Sequence, residues 1–212
     1  MQKYIVIEWI HGSGKTTIAK ALAERLKLLG LNAQYYHFPD EEDILGKAIR
    51  QVVADKDVVH HRQVTGVLYA GFANRFHLKT KADDVIYVAD RHSVTTWLVF
   101  QKDIPDEVRK ELYGIGIEAL KNNGMSYYIR VDKEVARERL QPRNTDLREG
   151  DAVWKDKAND LFVAEKFDKL SAMYDDYLVN AVNSLWVPMY EIENNGTIDE
   201  CVDKMVEYLS LE

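Results

Sequence analysis

The sequence is poor in the residues that mark disulfides, linkers and repeats. Cys201 is the single cysteine among 212 residues, so no intrachain disulfide can form and a reducing compartment is expected. There are four prolines, and no stretch rich in proline, glycine and serine separates one part of the chain from another. There is also no internal repeat and no low-complexity segment. We therefore expect a single domain that spans residues 1–212.

An excess of positive charge is also missing. The formal net charge is −7 and the sequence pI is about 5.4, which argues against nonspecific binding to nucleic acid. No apolar run is long enough to span a bilayer, and the N-terminal residues read as a strand rather than as a signal peptide. We expect a cytoplasmic protein without nucleic-acid or membrane partners, in which any polyanionic ligand meets a local basic cluster.

Apolar, β-rich runs alternate with helical patterns along the chain, and 46% of the residues are hydrophobic. The predicted strands are Tyr4–Glu8, Ala33–Phe38, Val85–Ala89, Ser126–Val131 and Leu185–Ile192. The predicted helices are Lys15–Leu29, Ile44–Ala54, Arg62–Lys79, Asp106–Asn122, Lys133–Leu140, Lys157–Val182 and Ile198–Leu209. This alternation predicts an α/β fold of three layers, in which a five-stranded parallel sheet has helices on both faces.

The junction of the first strand and first helix carries a phosphate-binding motif. The segment Gly12–Thr17 reads Gly-Ser-Gly-Lys-Thr-Thr, the second half of the P-loop pattern, and Trp9 stands at the position of the pattern's first glycine. In such a loop, backbone N–H groups and a helix N-terminus surround an anion. The motif predicts that Lys15 reaches phosphate oxygens and that the Thr16 hydroxyl ligates Mg²⁺.

A second motif begins with Asp90, directly after the third predicted strand. Ligands of parallel α/β sheets bind at the carboxyl ends of the strands, so a carboxylate there can act on Mg²⁺ directly or through water. Arg91 comes next, and its guanidinium can clamp a phosphate with two hydrogen bonds. An isolated Asp-Arg pair is more typical of a surface ion pair. The P-loop upstream favours the functional interpretation.

In this order, the motifs resemble the thymidylate kinase family of P-loop nucleoside monophosphate kinases, and the resemblance covers nearly the whole chain. The matching segments are Glu8–Thr17, His37-Phe38-Pro39, Ala73-Asn74-Arg75, Asp90-Arg91-His92, Thr95-Thr96, Phe100-Gln101 and Phe167–Leu170 followed by Tyr174. The resemblance implies the P-loop NTPase fold and transfer of the γ-phosphoryl group of ATP to dTMP, in the synthesis of dTTP. It also implies Mg²⁺ as cofactor and a homodimer.

The resemblance also implies roles for individual residues. The implied ATP-binding residues are His11, Gly12, Ser13, Gly14, Lys15, Thr16 and Thr17, with Thr16 and Asp90 at the metal. The implied acceptor-binding residues are Phe38, Arg50, Phe72, Arg75, Arg91 and Gln101. The implied catalytic residues are Lys15, Asp90, Arg91, Arg143 and Arg148.

A small lid is expected at residues 141–151, a polar segment that contains Pro142 and Gly150. Closed over ATP, it would exclude water and protect the γ-phosphate from hydrolysis. Arg143 and Arg148 would then stabilise charge in the transition state. Arginines and acids alternate in this part of the chain, which is also typical of a solvated helix terminus.

Four positions depart from the family pattern, namely Trp9, His11, Glu41 and Gly71. We expect these changes to lie on the acceptor side, with Trp9 or Phe72 supplying the aromatic ring that Gly71 lacks. His11 either adds positive charge at a phosphate or points into solvent.

Two other functions remain open at this point. A deoxynucleoside kinase shares the P-loop but uses its carboxylate as a general base on a sugar hydroxyl. A nucleotide-binding protein without turnover would explain a loop altered by Trp9, although Lys15, Thr16, Asp90 and Arg91 argue against it. The third predicted helix also carries an apolar stripe that serves either the core or a dimer, formed by Val64, Val67, Leu68, Gly71, Phe72 and Phe76.

Overall fold

A computed structural model of the chain describes residues 3–10, 12–40, 42–54, 61–81, 83–92, 105–140, 167–175 and 188–209. Its strands are β1 (Tyr4–Glu8), β2 (Ala33–His37), β3 (Ile86–Asp90), β4 (Gly124–Arg130) and β5 (Met189–Glu193). They form one sheet in the order β2-β3-β1-β4-β5, and every neighbouring pair is parallel. The predicted five-stranded parallel sheet is confirmed.

The helices follow the strands as the alternation predicted. They are α1 (Lys15–Leu28), α2 (Ile44–Ala54), α3 (His61–Thr80), α4 (Asp106–Asn123), α5 (Lys133–Leu140), α6 (residues 167–175) and α7 (Ile198–Tyr208). The rest of the helix predicted at Lys157–Val182 lies outside the described residues, as do the first residues of the last predicted strand. None of the described helices has the length and apolarity needed to cross a bilayer.

Helices cover both faces of the sheet because successive strand residues face opposite sides. Ile5 and Ile7 of β1 lie in an apolar cluster with residues of α1 and α7. Tyr4 and Val6, which alternate with them, lie in a second cluster with residues of α3 and α4. The chain therefore has the expected three layers, helix–sheet–helix.

Two helix ends carry well-formed caps. Gly30 has a φ of 83°, and the N–H groups of Gly30 and its successor bond to the carbonyls of Lys27 and Leu26, which ends α1 in a Schellman motif. Thr197 and Glu200 form a reciprocal capping box that begins α7. These caps fix where each helix meets the sheet.

The order of the strands determines where the candidate active site lies. β1 lies between β3 and β4, so the connections from β1 leave the sheet where the strand order reverses. In open α/β sheets, ligands bind at this point, beyond the carboxyl ends of the strands. Ile7 of β1 pairs with Asp90 of β3, which brings the P-loop and the Asp-Arg motif to the same edge.

Candidate active site

The loop between β1 and α1 has the conformation of an anion-binding turn. Gly12 and Gly14 have φ values of 83° and 86°, a region that L side chains rarely adopt. Gly14 is also the N-cap of α1, and no side chain of the described residues caps this end. The first N–H groups of α1 therefore point at the loop, where the positive end of the helix dipole favours a phosphate.

At two positions of this loop, close contacts leave no room for a residue larger than glycine. A Cβ atom on Gly12 would lie 2.8 Å from the carbonyl oxygen of Ala136, in α5. A Cβ atom on Gly14 would lie 2.9 Å from the Nδ2 atom of Asn194, in the turn after β5. The loop is thus packed between α5 and the β5–α7 turn, and its shape depends on both.

Lys15 lies over the phosphate loop. Its side chain is buried, and its Nζ atom donates a hydrogen bond to the carbonyl oxygen of Ile10 at 2.7 Å. The Ser13 hydroxyl donates to the same oxygen at 3.1 Å. The ammonium group is therefore held beside the turn, where a lysine of this motif would contact bound phosphates.

Thr16 and Asp90 meet between α1 and β3. The Thr16 hydroxyl donates a hydrogen bond to the Oδ2 atom of Asp90, and Asp90 is 2% exposed. Among the described residues, the Oδ1 atom of Asp90 has no hydrogen-bond partner, although it is buried. A buried carboxylate oxygen without a partner, beside a threonine hydroxyl, suits a hard cation such as Mg²⁺. The described residues contain no group of three or more acidic, histidine or cysteine side chains that could together hold a metal ion.

The charge of Asp90 is stabilised by its surroundings. Burial alone would raise the pKa of this carboxyl group, but His37, Lys15, Arg91 and Thr16 together hold it below its ordinary value. Asp90 is therefore ionised at neutral pH, as a metal-binding carboxylate must be.

His37 links Asp90 to Arg50. His37 pairs with Asp90 in the β2–β3 register, and its Nδ1 atom lies 3.6 Å from the Oδ2 atom of Asp90. Its Nε2 atom lies 3.2 Å from the Nη2 atom of Arg50. Because a guanidinium group only donates hydrogen bonds, Nε2 accepts, and a neutral imidazole then carries its proton on Nδ1, facing Asp90. Arg50 is therefore directed toward the same strand edge.

Arg91 is held in an unusual conformation by buried partners. Its φ of 75° lies in the left-handed region, which costs a residue other than glycine some strain. Its Nη1 atom donates to the hydroxyl of Tyr174 at 3.2 Å and lies 4.0 Å from the Oε2 atom of Glu8. Burial raises the pKa of Glu8 to about 7, against the opposing effects of Arg91, the His92 N–H group and Lys15.

Two of the predicted acceptor residues lie in one aromatic cluster. Phe38 and Phe72 are each 2% exposed, with ring centroids 4.8 Å apart, and Phe38 also stacks on His92 at 5.5 Å. Gly71 is exposed, and a Cβ atom there would meet only Leu45 within 4.0 Å. Because residue 71 has no aromatic side chain, open space remains beside Phe72. The ring of Phe72 itself is buried in the core.

Arg75 lies farther out than these aromatic residues. Its side chain is 56% exposed, and its Nη1 atom lies 3.1 Å from the Oδ2 atom of Asp43. It lines a cavity of about 390 Å³ beside the edge strand β2, together with Tyr36, Phe72 and Phe76. A base that bonds to Arg75 would have to compete with Asp43 for the guanidinium.

The ring of Trp9 packs away from the predicted acceptor residues. It is 2% exposed and clusters with residues of β4, α5 and α6, including Tyr128 and Tyr174 at centroid distances of 6.0 and 5.2 Å. The guanidinium of Arg130 lies 5.0 Å from the ring centroid. Phe38 and Phe72 belong to a separate cluster. This packing does not support the expectation that Trp9 replaces the ring missing at Gly71.

Several predicted residues lie outside the described residues and stay predictions. They are His11 and Glu41, Gln101, the lid at 141–151, and the lid residues Arg143 and Arg148.

Four residues at the site were given no role from the sequence, namely Glu8, His37, Tyr174 and Asn194. Glu8, His37 and Asn194 could have been found from the sequence, because each is a polar residue close to the carboxyl end of a strand. Tyr174 carries no such signal, since its contact with Arg91 joins residues 83 positions apart.

The fold and this site define a P-loop phosphotransferase. A parallel sheet, a glycine loop that opens a helix, and a lysine, a threonine and a carboxylate at the same edge form the arrangement that binds nucleotide phosphates with a divalent cation.

Comparison with known proteins identifies the family. The model of the thymidylate kinase family matches residues 7–187, and the chain belongs to this family, whose members are nucleoside monophosphate kinases. A probable thymidylate kinase of Methanococcus maripaludis strain C7 is 26% identical over 211 residues, which cover 96% of this chain and 98% of the relative. One from Methanococcus vannielii is 32% identical over 153 residues, which cover 70% of this chain and 71% of the relative.

A solved structure agrees with the fold. The thymidylate kinase from Candida albicans superposes with a TM-score of 0.61 at 15% sequence identity, covering 98% of this chain and 91% of that chain. At this identity the likeness supports the fold, while membership of the family rests on the match at residues 7–187.

Proposed function

We propose that this chain transfers the γ-phosphoryl group of ATP to dTMP, forming dTDP and ADP, in the synthesis of dTTP. The observation that carries the proposal is the convergence of Lys15, Thr16, Asp90 and Arg91 at the carboxyl ends of β1 and β3. The names of the curated relatives favour dTMP as the acceptor.

On the donor side, the chain contributes positioning and positive charge. The N–H groups of the Gly12–Thr16 turn hold the donor phosphates, and Lys15 exchanges its bond to the Ile10 carbonyl for the β- and γ-phosphate oxygens. The protein takes little part in the covalent chemistry of phosphoryl transfer, so alignment and charge stabilisation supply most of the rate enhancement. Arg143 and Arg148 of the lid are proposed to add to that charge.

Thr16 and Asp90 are proposed to hold Mg²⁺, through the threonine hydroxyl and the carboxylate, directly or through water. When bound, Mg²⁺ neutralises charge on the β- and γ-phosphates. His37, Lys15, Arg91 and the hydrogen bond from Thr16 keep Asp90 ionised, and the bond from Thr16 also orients its carboxylate.

On the acceptor side, Arg91 is proposed to clamp the phosphate of dTMP with two parallel hydrogen bonds. Tyr174 and Glu8 fix the guanidinium before substrate arrives, which lowers the entropy cost of forming the clamp. Arg50, held at His37, is proposed to assist. Residues proposed to contact the nucleoside are Phe38, Phe72, Arg75 and Gln101.

The two rival functions fit the geometry less well. A deoxynucleoside kinase needs a carboxylate that can take a proton from a sugar hydroxyl. Asp90 is a weak base, because its pKa lies below the ordinary value and its Oδ2 atom already accepts a hydrogen bond from Thr16. Glu8, whose pKa is higher, is fully buried and already accepts a hydrogen bond from the His92 N–H group. A binding protein without turnover would not need Arg91 fixed at the site by buried partners.

An ADP-release assay across dTMP, dUMP, other monophosphates and free nucleosides tests the proposal. We expect turnover with dTMP, and turnover with nucleosides but not monophosphates would overturn it. ATP binding without turnover on any acceptor would support the binding protein instead. We expect Lys15→Ala to lower kcat by orders of magnitude, while Lys27→Ala, on the exposed side of the same helix, leaves it unchanged.

The proposal includes a cytoplasmic homodimer that packs through α3. The apolar stripe of this helix has a buried part and an exposed part. Phe72 and Phe76 are buried, whereas Val64 is 39% and Val67 is 55% exposed. Exposed apolar side chains in a row favour contact with a second copy. Light scattering should show a dimer that Val67→Asp dissociates, and Leu28→Asp, at an 83% exposed leucine on α1, should leave the dimer intact. A monomeric parent chain would refute the dimer.

A further inference from the structure

One buried side chain joins the turn after β5 to the phosphate loop. Asn194 is 1% exposed, and its Nδ2 atom donates a hydrogen bond to the carbonyl oxygen of Ser13 at 2.7 Å. The backbone N–H group of Asn194 donates to the Arg130 carbonyl at 2.7 Å. The residue is thus anchored to β4 at its backbone and to the phosphate loop at its side chain.

The amide of Asn194 has a defined orientation. Its Oδ1 atom accepts a hydrogen bond from the Sγ atom of Cys201 at 3.2 Å, within the first turn of α7. A reversed amide would place Oδ1 against the Ser13 oxygen, which would bring two acceptors together. The Ser13 carbonyl and the Cys201 thiol therefore favour the same orientation of the amide.

The bond to Ser13 fixes the orientation of a peptide group that borders the anion site. In a planar trans peptide, the C=O and N–H groups point in opposite directions. The Ser13 carbonyl points at Asn194, so the N–H group of Gly14 in the same peptide points away from Asn194. In loops of this kind, that is the side on which N–H groups surround a phosphate.

Glycine makes this peptide easy to turn over. Gly14 has a φ of 86° and no Cβ atom to oppose rotation, so without an anchor the peptide could present either its N–H group or its carbonyl oxygen to the anion. A carbonyl oxygen in that place would repel a phosphate. A hydrogen bond from a buried donor favours the orientation with the N–H group inward.

We propose that Asn194 is a positioning residue for the donor nucleotide, which holds the Ser13–Gly14 peptide with its N–H group facing the donor phosphates. It acts through the loop and contacts no reacting atom. This rests on the proposed function in one respect, that the ligand of the loop is a nucleotide. Cys201 supports the same arrangement by orienting the amide.

Calorimetric titration with ADP, and separately with inorganic tripolyphosphate, tests the proposal on the full chain. We expect Asn194→Ala to raise the Kd of both ligands about tenfold, the effect of losing one buried hydrogen bond. Asn194→Asp has the same shape without a donor, so we expect at least as large an effect. Asn32→Ala is the control, because Asn32, on the surface, donates a bond of the same 2.7 Å length to the Asp84 carbonyl, ahead of β3, and the Kd values of this variant should not change.

Steady-state kinetics separates positioning from a purely structural role. We expect Asn194→Ala to raise the KM for ATP and to leave the KM for the acceptor unchanged. ADP and tripolyphosphate Kd values within twofold of the parent chain would overturn the proposal, even if the melting temperature fell.

If the Asn194 variants do not fold, the thiol provides a second test. Cys201→Ala removes one of the two contacts that orient the amide, and we expect it to weaken ADP binding two- to threefold, with Cys201→Ser restoring it. Unchanged ADP binding in Cys201→Ala would then overturn the proposal.

The outcome is separable from that of the proposed function, because ADP binding needs no acceptor. Weaker ADP binding in Asn194→Ala, together with no transfer to any monophosphate, would support the role of Asn194 and refute the proposed reaction. Transfer to dTMP together with unchanged ADP binding in Asn194→Ala would support the proposed reaction and refute the role of Asn194.

Discussion

At the scale of single residues, Arg91 is held by contacts to side chains that take no part in the reaction. The hydrogen bond to the buried hydroxyl of Tyr174 is one of them. We expect Tyr174→Phe to lower kcat about tenfold, roughly 1.4 kcal/mol of transition-state stabilisation, because the guanidinium loses a fixed partner while the ring still packs. Binding of ADP should not change, because the variant removes only the hydroxyl and keeps the ring that packs on Trp9.

The matched control is Tyr127→Phe. Tyr127 is also fully buried and donates its hydroxyl to the Met205 carbonyl at 2.7 Å, on the opposite face of the sheet. Both variants should lower the melting temperature, but only Tyr174→Phe should lower kcat. Equal kcat values in the two variants would contradict a positioning role for Tyr174.

A second prediction at this scale concerns Asp90. Asp90→Asn keeps the shape and removes the charge, so we expect at least a tenfold higher Mg²⁺ concentration for half-maximal activity. Asp83→Asn removes a charge beyond the opposite end of β3, where Asp83 pairs with Lys3, and should leave the Mg²⁺ dependence unchanged. A parent-like Mg²⁺ curve in Asp90→Asn would remove Asp90 from the metal site.

At the scale of elements, two glycines with the same backbone conformation differ in their surroundings. Gly12 and Gly30 each have a φ of 83°, yet a Cβ atom would meet the Ala136 carbonyl at 2.8 Å in the first case and nothing within 4 Å in the second. We expect Gly30→Ala to cost about 1–2 kcal/mol of unfolding free energy, the price of the left-handed backbone. Gly12→Ala should cost more and should also weaken ADP binding at least tenfold, because α5 must move off the loop.

Chemical denaturation and ADP titration of the two variants measure the difference. If Gly12→Ala matched Gly30→Ala in both, the packing of α5 against the loop would have no influence on the nucleotide site.

The elements themselves were accessible from the sequence, because their signals are local. The run Tyr4–Glu8 is fully buried in the sheet and is nearly all apolar, so a strand buried on both faces could be predicted from composition. The Gly-Ser-Gly-Lys-Thr run located the loop between β1 and α1. The order β2-β3-β1-β4-β5 fixes which strand ends become neighbours, and no local pattern encodes it.

The contacts that complete the site depend on that order. Asn194 lies 181 residues from Ser13 in sequence, and their hydrogen bond exists only because β5 and β1 both flank β4. The direction of Trp9 also depends on its neighbours, since its ring packs with Tyr128 of β4 and not with Phe38 after β2. A single position in the P-loop pattern could not indicate which side the ring would take.

At the scale of the whole molecule, a buried histidine pair joins α3 to the end of β3. The Nε2 atoms of His77 and His92 lie 2.9 Å apart, and both side chains are almost fully buried. One ring nitrogen must therefore donate and the other accept, which requires at least one neutral imidazole. Burial lowers the pKa of His77 to about 4, and burial together with His77 lowers that of His92.

Acid should therefore weaken the whole fold through this pair. Between an unfolded pKa of about 6.5 and the folded value of about 4, the unfolded chain binds a proton on His77 that the folded chain does not. Because the unfolded state then holds more protons, the free energy of unfolding falls as pH falls, by roughly 1.4 kcal/mol per pH unit for one such group. Denaturant titrations from pH 7.5 to pH 4.5 should show a shallower fall in His77→Gln than in the parent chain. Parallel curves for His77→Gln and the parent would show that the pair does not set the acid sensitivity.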